Sequence, residues 1–168
     1  MVQWLGQRDE FRCGPIALVN IMKWAGIKRF KGHRVNEKLA KGYLSKICKT
    51  GGNRFDPDNY GTAKEHFNPV LHSLDLVIEE HKRPTKLNIK GCLKSEGIVL
   101  LSSSWWYKKE KAYVEHYCLI TDVWRNGKFY TAINNIEGRA EALITGDYLS
   151  RMLSRPDSDA YFIWKEII

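Results

Sequence analysis

The sequence predicts an α+β domain, with helices in its first half and antiparallel strands in its second. Two observations carry that class. Apolar residues recur at helical spacing through the first half, whereas from Gly97 onward they gather into short β-branched and aromatic runs. The dipeptide Asn126-Gly127 then lies between two such runs, Tyr113 to Val123 and Lys128 to Asn134, and marks a hairpin.

Each element follows from its own residues. Gly14 to Ala25 carries Ile16, Leu18, Val19, Ile21, Met22 and Trp24 and closes on Gly26. A helix apolar on most faces belongs inside a core. Val35 to Lys49 places Leu39, Tyr43, Leu44 and Ile47 at helical spacing and predicts a second helix. Gly51 to Gly61 is rich in turn residues and reads as a loop. Thr62 is expected to cap a helix through about Ser73, with Glu65 completing a capping box. A short helix is expected over Lys86 to Ser95 and another near Thr145 to Leu153. Strands are expected over Leu74 to Glu79, Gly97 to Ser102, Tyr113 to Val123, Lys128 to Asn134 and Ala160 to Trp164.

Length and composition bound what such a chain can do. At 168 residues a single domain over 1–168 is the expectation, and a chain of this size buries roughly 70% of its unfolded surface, enough for a core without a metal or disulfide staple. With 43% hydrophobic and 27% charged residues it is neither disordered, collagen-like nor a coiled coil. No apolar run reaches the ~20 residues of a membrane span. Met1 to Gln7 has neither a basic nor an apolar signal region, so a cytoplasmic location is expected. The net charge of +8 is dispersed in short clusters such as Lys28 to Lys31 and Lys108 to Lys111, which read as a solvated face. No nucleic-acid motif accompanies those clusters, so nucleic acid is not the expected partner. No membrane partner and no cofactor are expected, and no His or Cys pair has the spacing of metal ligands.

Cys13, Cys48, Cys92 and Cys118 form no C-x-x-C pair and are expected as free thiols. Cys13 stands apart because it opens the long apolar helix, in Arg12-Cys13-Gly14-Pro15. Unsatisfied N–H groups and the positive end of the helix dipole favour a thiolate there, and Pro15 suits a first helical turn. Gly14 would let a substrate approach closely. The same position also suits a small buried apolar residue, the common fate of a free cysteine. Among the five histidines, His33, His66, His72 and His81 lie in polar contexts, while His116 lies in the strand-like run Val114 to Ile120. A base held on a strand gives the fixed geometry a Cys–His pair needs. The partner strand returns as Ala132-Ile133-Asn134-Asn135, so one asparagine can orient the imidazole. Strand alternation favours Asn135, with Asn134 as the alternative. Gln7, shortly before Cys13, has an amide able to face a developing oxyanion.

Gln7, Cys13-Gly14-Pro15, Gly61-Thr62, His116-Tyr117-Cys118-Leu119-Ile120 and Asn135, in that order, resemble a papain-like cysteine peptidase, and most closely the double-glycine peptidase family that processes bacteriocin leaders. The resemblance runs over roughly residues 3–136. It implies a papain-like fold, a helical half packed on an antiparallel sheet. It also implies Cys13 as nucleophile, His116 as general base, Asn135 as orienter and Gln7 as oxyanion donor. The substrate would be a polypeptide, with Gly or another small residue at the cleavage site. The family usually carries Asp-Pro where this chain has Asn135-Ile136. Hydrolysis and acyl transfer share one thioester and are not separated by sequence. A non-catalytic binding module using the basic surface is the remaining alternative. The Trp105-Trp106 pair is expected to split between core and surface, because neighbouring strand residues point to opposite faces.

Overall fold

The computed structural model describes residues 1–53, 55–56 and 59–166. Arg54, Pro57 and Asp58 of the expected loop, and Ile167 and Ile168 of the expected domain, lie outside the described residues.

Helix α1 (Cys13–Ala25) forms as its apolar run predicts, and Cys13 is its first residue. Gly26 ends it at φ 81°, with its N–H returned to the Lys23 carbonyl. A small ribbon not read from the sequence follows, β1 (Arg29–Phe30) paired with β2 (His33–Arg34). Its turn holds Lys31 at φ 48° and Gly32 at φ 84°. Two left-handed residues suit a tight hairpin, but Lys31 is not the Asn or Asp that usually announces one.

The second predicted helix exists as a broken run: α2 (Glu37–Leu39), a π-helical turn over Ala40–Leu44, and α3 (Ser45–Ile47). Asn36 caps it by accepting the Leu39 N–H at 3.2 Å. The turn-rich stretch contributes a two-residue ladder, β3 (Gly51–Gly52) with β4 (Tyr60–Gly61). Helix α4 (Lys64–His72) begins later than expected. Its N-cap is Ala63, with no side-chain cap. The proposed Thr62–Glu65 box is absent because the Thr62 hydroxyl is engaged by Thr50 Oγ1 at 2.6 Å. A reciprocal box occurs instead at Thr85 and Asn88, opening α5 (Lys86–Lys94).

The second half is one antiparallel sheet. Its members are β5 (Leu76–Lys82), β6 (Ile98–Tyr107), β7 (Ala112–Trp124), β8 (Phe129–Ile133), β9 (Glu141–Thr145) and β10 (Asp159–Lys165), in the order β5-β10-β6-β7-β8-β9. The hairpin around Asn126-Gly127 joins β7 to β8 as predicted, with Asn126 at φ 56°. Strand β6 is longer than expected because the serines and the Trp pair continue it, and the pair splits: Trp105 is fully buried and Trp106 exposed. Edge strand β9 was not read from the sequence. Between it and β10 runs α6 (Gly146–Leu153), capped by Thr145 through the Tyr148 N–H at 3.1 Å.

The sheet has a core on each face. Along β7, Tyr117 and Leu119 join the α1 core, while Cys118 and Ile120 join the core containing Leu149 and Met152 of α6. The other central strands alternate likewise: Ile98 and Leu100 face α1, Val99 and Leu101 face away. A helix start is thereby clamped against the middle of a rigid sheet. Among the described residues, no helix is long and apolar enough to cross a membrane.

Candidate active site

Cys13 enters the site as the first residue of α1 and lies against β7. The main-chain N–H groups of Tyr117 and Gly14 point at its sulfur. Tyr117 follows His116 directly, so the thiol meets the β7 main chain at the residue after the histidine. Among the described residues, no hydrogen bond joins the Cys13 sulfur to the His116 ring. Burial pushes the thiol up to about 11, and the Tyr117 N–H only partly offsets this. The helix dipole expectation of a ready thiolate is therefore corrected: desolvation outweighs the helix terminus, and the resting sulfur keeps its proton.

Gly14 also differs from expectation. A Cβ there would lie 2.9 Å from the Thr62 side chain, so Thr62 fills the space reserved for a substrate. Close packing of α1 against the start of α4 is what requires glycine.

His116 is 4% exposed, and its Nε2 lies 2.6 Å from the main-chain carbonyl of Asn134. A carbonyl only accepts, so Nε2 carries the hydrogen and Nδ1 keeps the lone pair of a neutral ring. Burial pulls the imidazole down to about 4, opposed by main-chain hydrogen bonds at Asn134 and Asn135. The Asn135 side chain, expected against the ring, accepts the Arg139 N–H at 3.0 Å instead. The reason is local: Asn134 adopts φ 54°, which turns the chain so that main chain, not the Asn135 amide, meets the ring.

Gln7 lines one cleft of about 180 Å³ together with His116, Glu10 and Glu115. Its Nε2 donates to the Asp9 carbonyl at 2.7 Å. Its main-chain N–H donates to Asn134 Oδ1 at 2.8 Å, and its Oε1 accepts from Asn134 Nδ2 at 3.0 Å. Gln7, His116 and the Asn134–Asn135 pair are thus joined directly. Cys13 is attached to them through the β7 main chain. Among the described residues, no three His, Cys, Asp or Glu side chains converge as a metal-binding group.

No family model and no curated protein matches the sequence. Solved structures do. The peptidase domain of Streptococcus ComA, described as a bi-functional ABC transporter involved in a quorum-sensing pathway, superposes with a TM-score of 0.64 at 14% identity, covering 99% of this chain and 100% of that one. A putative C39-like peptidase from Bacillus anthracis gives 0.62 at 12% identity, with 99% and 96% covered. The chain has the papain-like fold of the double-glycine peptidases. Both neighbours match across essentially the whole chain, so the helical half and the sheet half are equally part of the likeness.

Three supporting residues escaped the sequence reading. Asn20 is fully buried in α1 and binds the Leu5 main chain twice, accepting its N–H and donating to its carbonyl, each at 2.8 Å. The signal was available: an amide amid the apolar residues of a core helix must have a partner. Gly6 and Gly138 carried no such signal. A Cβ on Gly6 would fall 2.1 Å from the Gly138 carbonyl oxygen, so the segment 5–7 lies flush on the turn after β8.

Proposed function

We propose that the chain is a cysteine peptidase, with Cys13 as nucleophile, His116 as general base and Gln7 as oxyanion donor. The observation that carries the reading is a thiol at a helix N-terminus, set against the main chain of Tyr117, the residue after a buried histidine whose Nε2–H is tied to a carbonyl. That bond leaves Nδ1 as the basic atom. As the sulfur attacks the scissile carbonyl carbon, the thiol proton passes to Nδ1. The Asn134 carbonyl then faces a developing imidazolium, a charge-assisted bond stronger than the resting one. The orienting task falls to the main chain of Asn134 and Asn135 rather than to the Asn135 amide.

The carbonyl oxygen gains charge as the C–S bond forms, and the Gln7 amide with the Cys13 N–H supplies donors for it. Collapse breaks the C–N bond, and the amine leaves with the proton from His116. Water, deprotonated by His116, then attacks the thioester and frees Cys13. An amine in place of water gives acyl transfer. A polypeptide substrate follows from the likeness to peptidase domains; small residues such as Gly beside the scissile bond follow from the family resemblance.

The test is a proteome-derived peptide library incubated with wild type and Cys13→Ala, with new N-termini mapped by mass spectrometry. Cleavages present with wild type and absent with the variant are expected. Identical peptide profiles from the two proteins would reject the peptidase reading.

A further inference from the structure

We infer that Asn134 is a positioning residue that serves both halves of the site with different atoms. Its main-chain carbonyl orients the base, and its side-chain amide sets the oxyanion donor. This inference rests on the peptidase reading above, and it adds a residue whose side chain acts on Gln7 and not on the imidazole.

Asn134 is 1% exposed and has every polar group engaged. Its N–H donates to the Ala140 carbonyl at 3.2 Å and its carbonyl meets His116 Nε2 at 2.6 Å. Its Oδ1 accepts the Gln7 main-chain N–H at 2.8 Å, and its Nδ2 donates to Gln7 Oε1 at 3.0 Å. An amide can be turned end for end, so a glutamine offered as oxyanion donor has two possible faces. The Nδ2 donor removes that ambiguity. It fixes the oxygen of Gln7 toward Asn134 and leaves the NH₂ group on the opposite side, where one hydrogen meets the Asp9 carbonyl and the other is available. The left-handed φ of 54° makes the double service geometrically possible. Asparagine is among the few side-chain-bearing residues that adopt this conformation readily.

The division of labour separates experimentally, because Asn134→Gly keeps the carbonyl and suits the positive φ while deleting the amide. Two probes report on the two halves. Iodoacetamide alkylation of Cys13, followed against pH, reads the Cys13–His116 relation and forms no oxyanion. N-acetyl-glycyl-glycinal adds reversibly to the Cys13 sulfur: the S–C bond forms, the C=O π bond becomes an oxyanion and then a hydroxyl, and the thiol proton is the one taken up. Its affinity therefore reads the donor side. The proteins are wild type, Gln7→Ala, Asn134→Gly, Asn134→Asp and the double variant Gln7→Ala/Asn134→Gly.

Asn134→Gly is expected to leave the alkylation rate and its pH profile within about twofold of wild type. It is expected to weaken aldehyde binding about tenfold or more, as Gln7→Ala does, and the double variant should be no weaker than Gln7→Ala alone. Asn134→Asp keeps the acceptor for the Gln7 N–H but replaces the Nδ2 donor with an acceptor, so it should weaken the aldehyde too and guards against a merely unfolded glycine variant. An altered alkylation profile in Asn134→Gly, or losses that add in the double variant, would overturn the inference and leave the peptidase reading intact. A wild-type Cys13 that binds no aldehyde would overturn the peptidase reading, and the inference with it.

Discussion

His116 was legible as a candidate from its strand context, but its partner was not. Strand alternation pointed to the Asn135 side chain, and a single left-handed residue, Asn134, delivered a main-chain carbonyl instead. Dihedral reversals of this kind depend on what the next turn must do, and no local pattern announces them. Burial of the ring also has a thermodynamic consequence. In the unfolded chain His116 takes up a proton below about 6.5, whereas in the fold burial delays this to about 4. The unfolded state therefore binds more protons across that window, and stability falls as pH drops from 6.5 to 4. At about 1.4 kcal/mol per pH unit the loss reaches roughly 3 kcal/mol. Urea denaturation at pH 7 and at pH 4 should show a smaller acid loss for His116→Gln than for wild type. Cys13 works in the opposite direction: its thiol is raised from 9.0 to about 11 by burial, so it contributes a loss of stability as pH rises through that range. Cys13→Ala should flatten part of the alkaline limb in the same measurement.

At the scale of elements, the helices with strong apolar periodicity and the Asn-Gly hairpin were readable, and the devices that join them were not. The segment 5–7 has little regular structure, yet two asparagines on distant elements hold its main chain, Asn20 at Leu5 and Asn134 at Gln7. Asn20→Leu would strip Leu5 of both partners inside the α1 core. A loss of about 1–3 kcal/mol is expected, the range for an unsatisfied buried polar group, read from the urea midpoint. Because Leu5 precedes Gln7 by only two residues, aldehyde affinity should fall as well. Gly6→Ala tests the same segment sterically: a Cβ 2.1 Å from the Gly138 carbonyl must lift it from the turn. The expected result is weaker aldehyde binding with an unchanged alkylation profile of Cys13. Strand β9 illustrates the limit of reading strands singly. Its residues Ala142 and Ile144 are partly or fully buried, whereas Leu143 points to solvent, so the alternation becomes meaningful only once β8 is known to lie beside it.

For the whole molecule, the α+β class was legible because periodicity changes midway along the chain. Strand order was not, because it depends on pairings remote in sequence. The last strand, β10, inserts between β5 and β6 and pairs with both. Removing residues from Asp159 onward should therefore destroy the cooperative fold rather than trim an edge, which circular dichroism melting would register as loss of the transition. The papain-like architecture uses this sheet as a fixed wall: α1 brings Cys13 to one face of β7, β7 carries His116, and the turn after β8 returns to both His116 and Gln7.

On the reading proposed above, Cys13 forms the acyl-enzyme and His116 drives its formation. The direct measurement is acid-quenched mass spectrometry after mixing with an N-acetyl-Gly-Gly thioester, with the acyl group mapped to individual cysteines over time. An acyl group is expected on Cys13 ahead of Cys48, Cys92 and Cys118, forming at least about 100-fold more slowly in His116→Ala, the lower end of what a general base supplies. Acylation spread equally over the four thiols, or a Cys13 rate indifferent to His116, would contradict it.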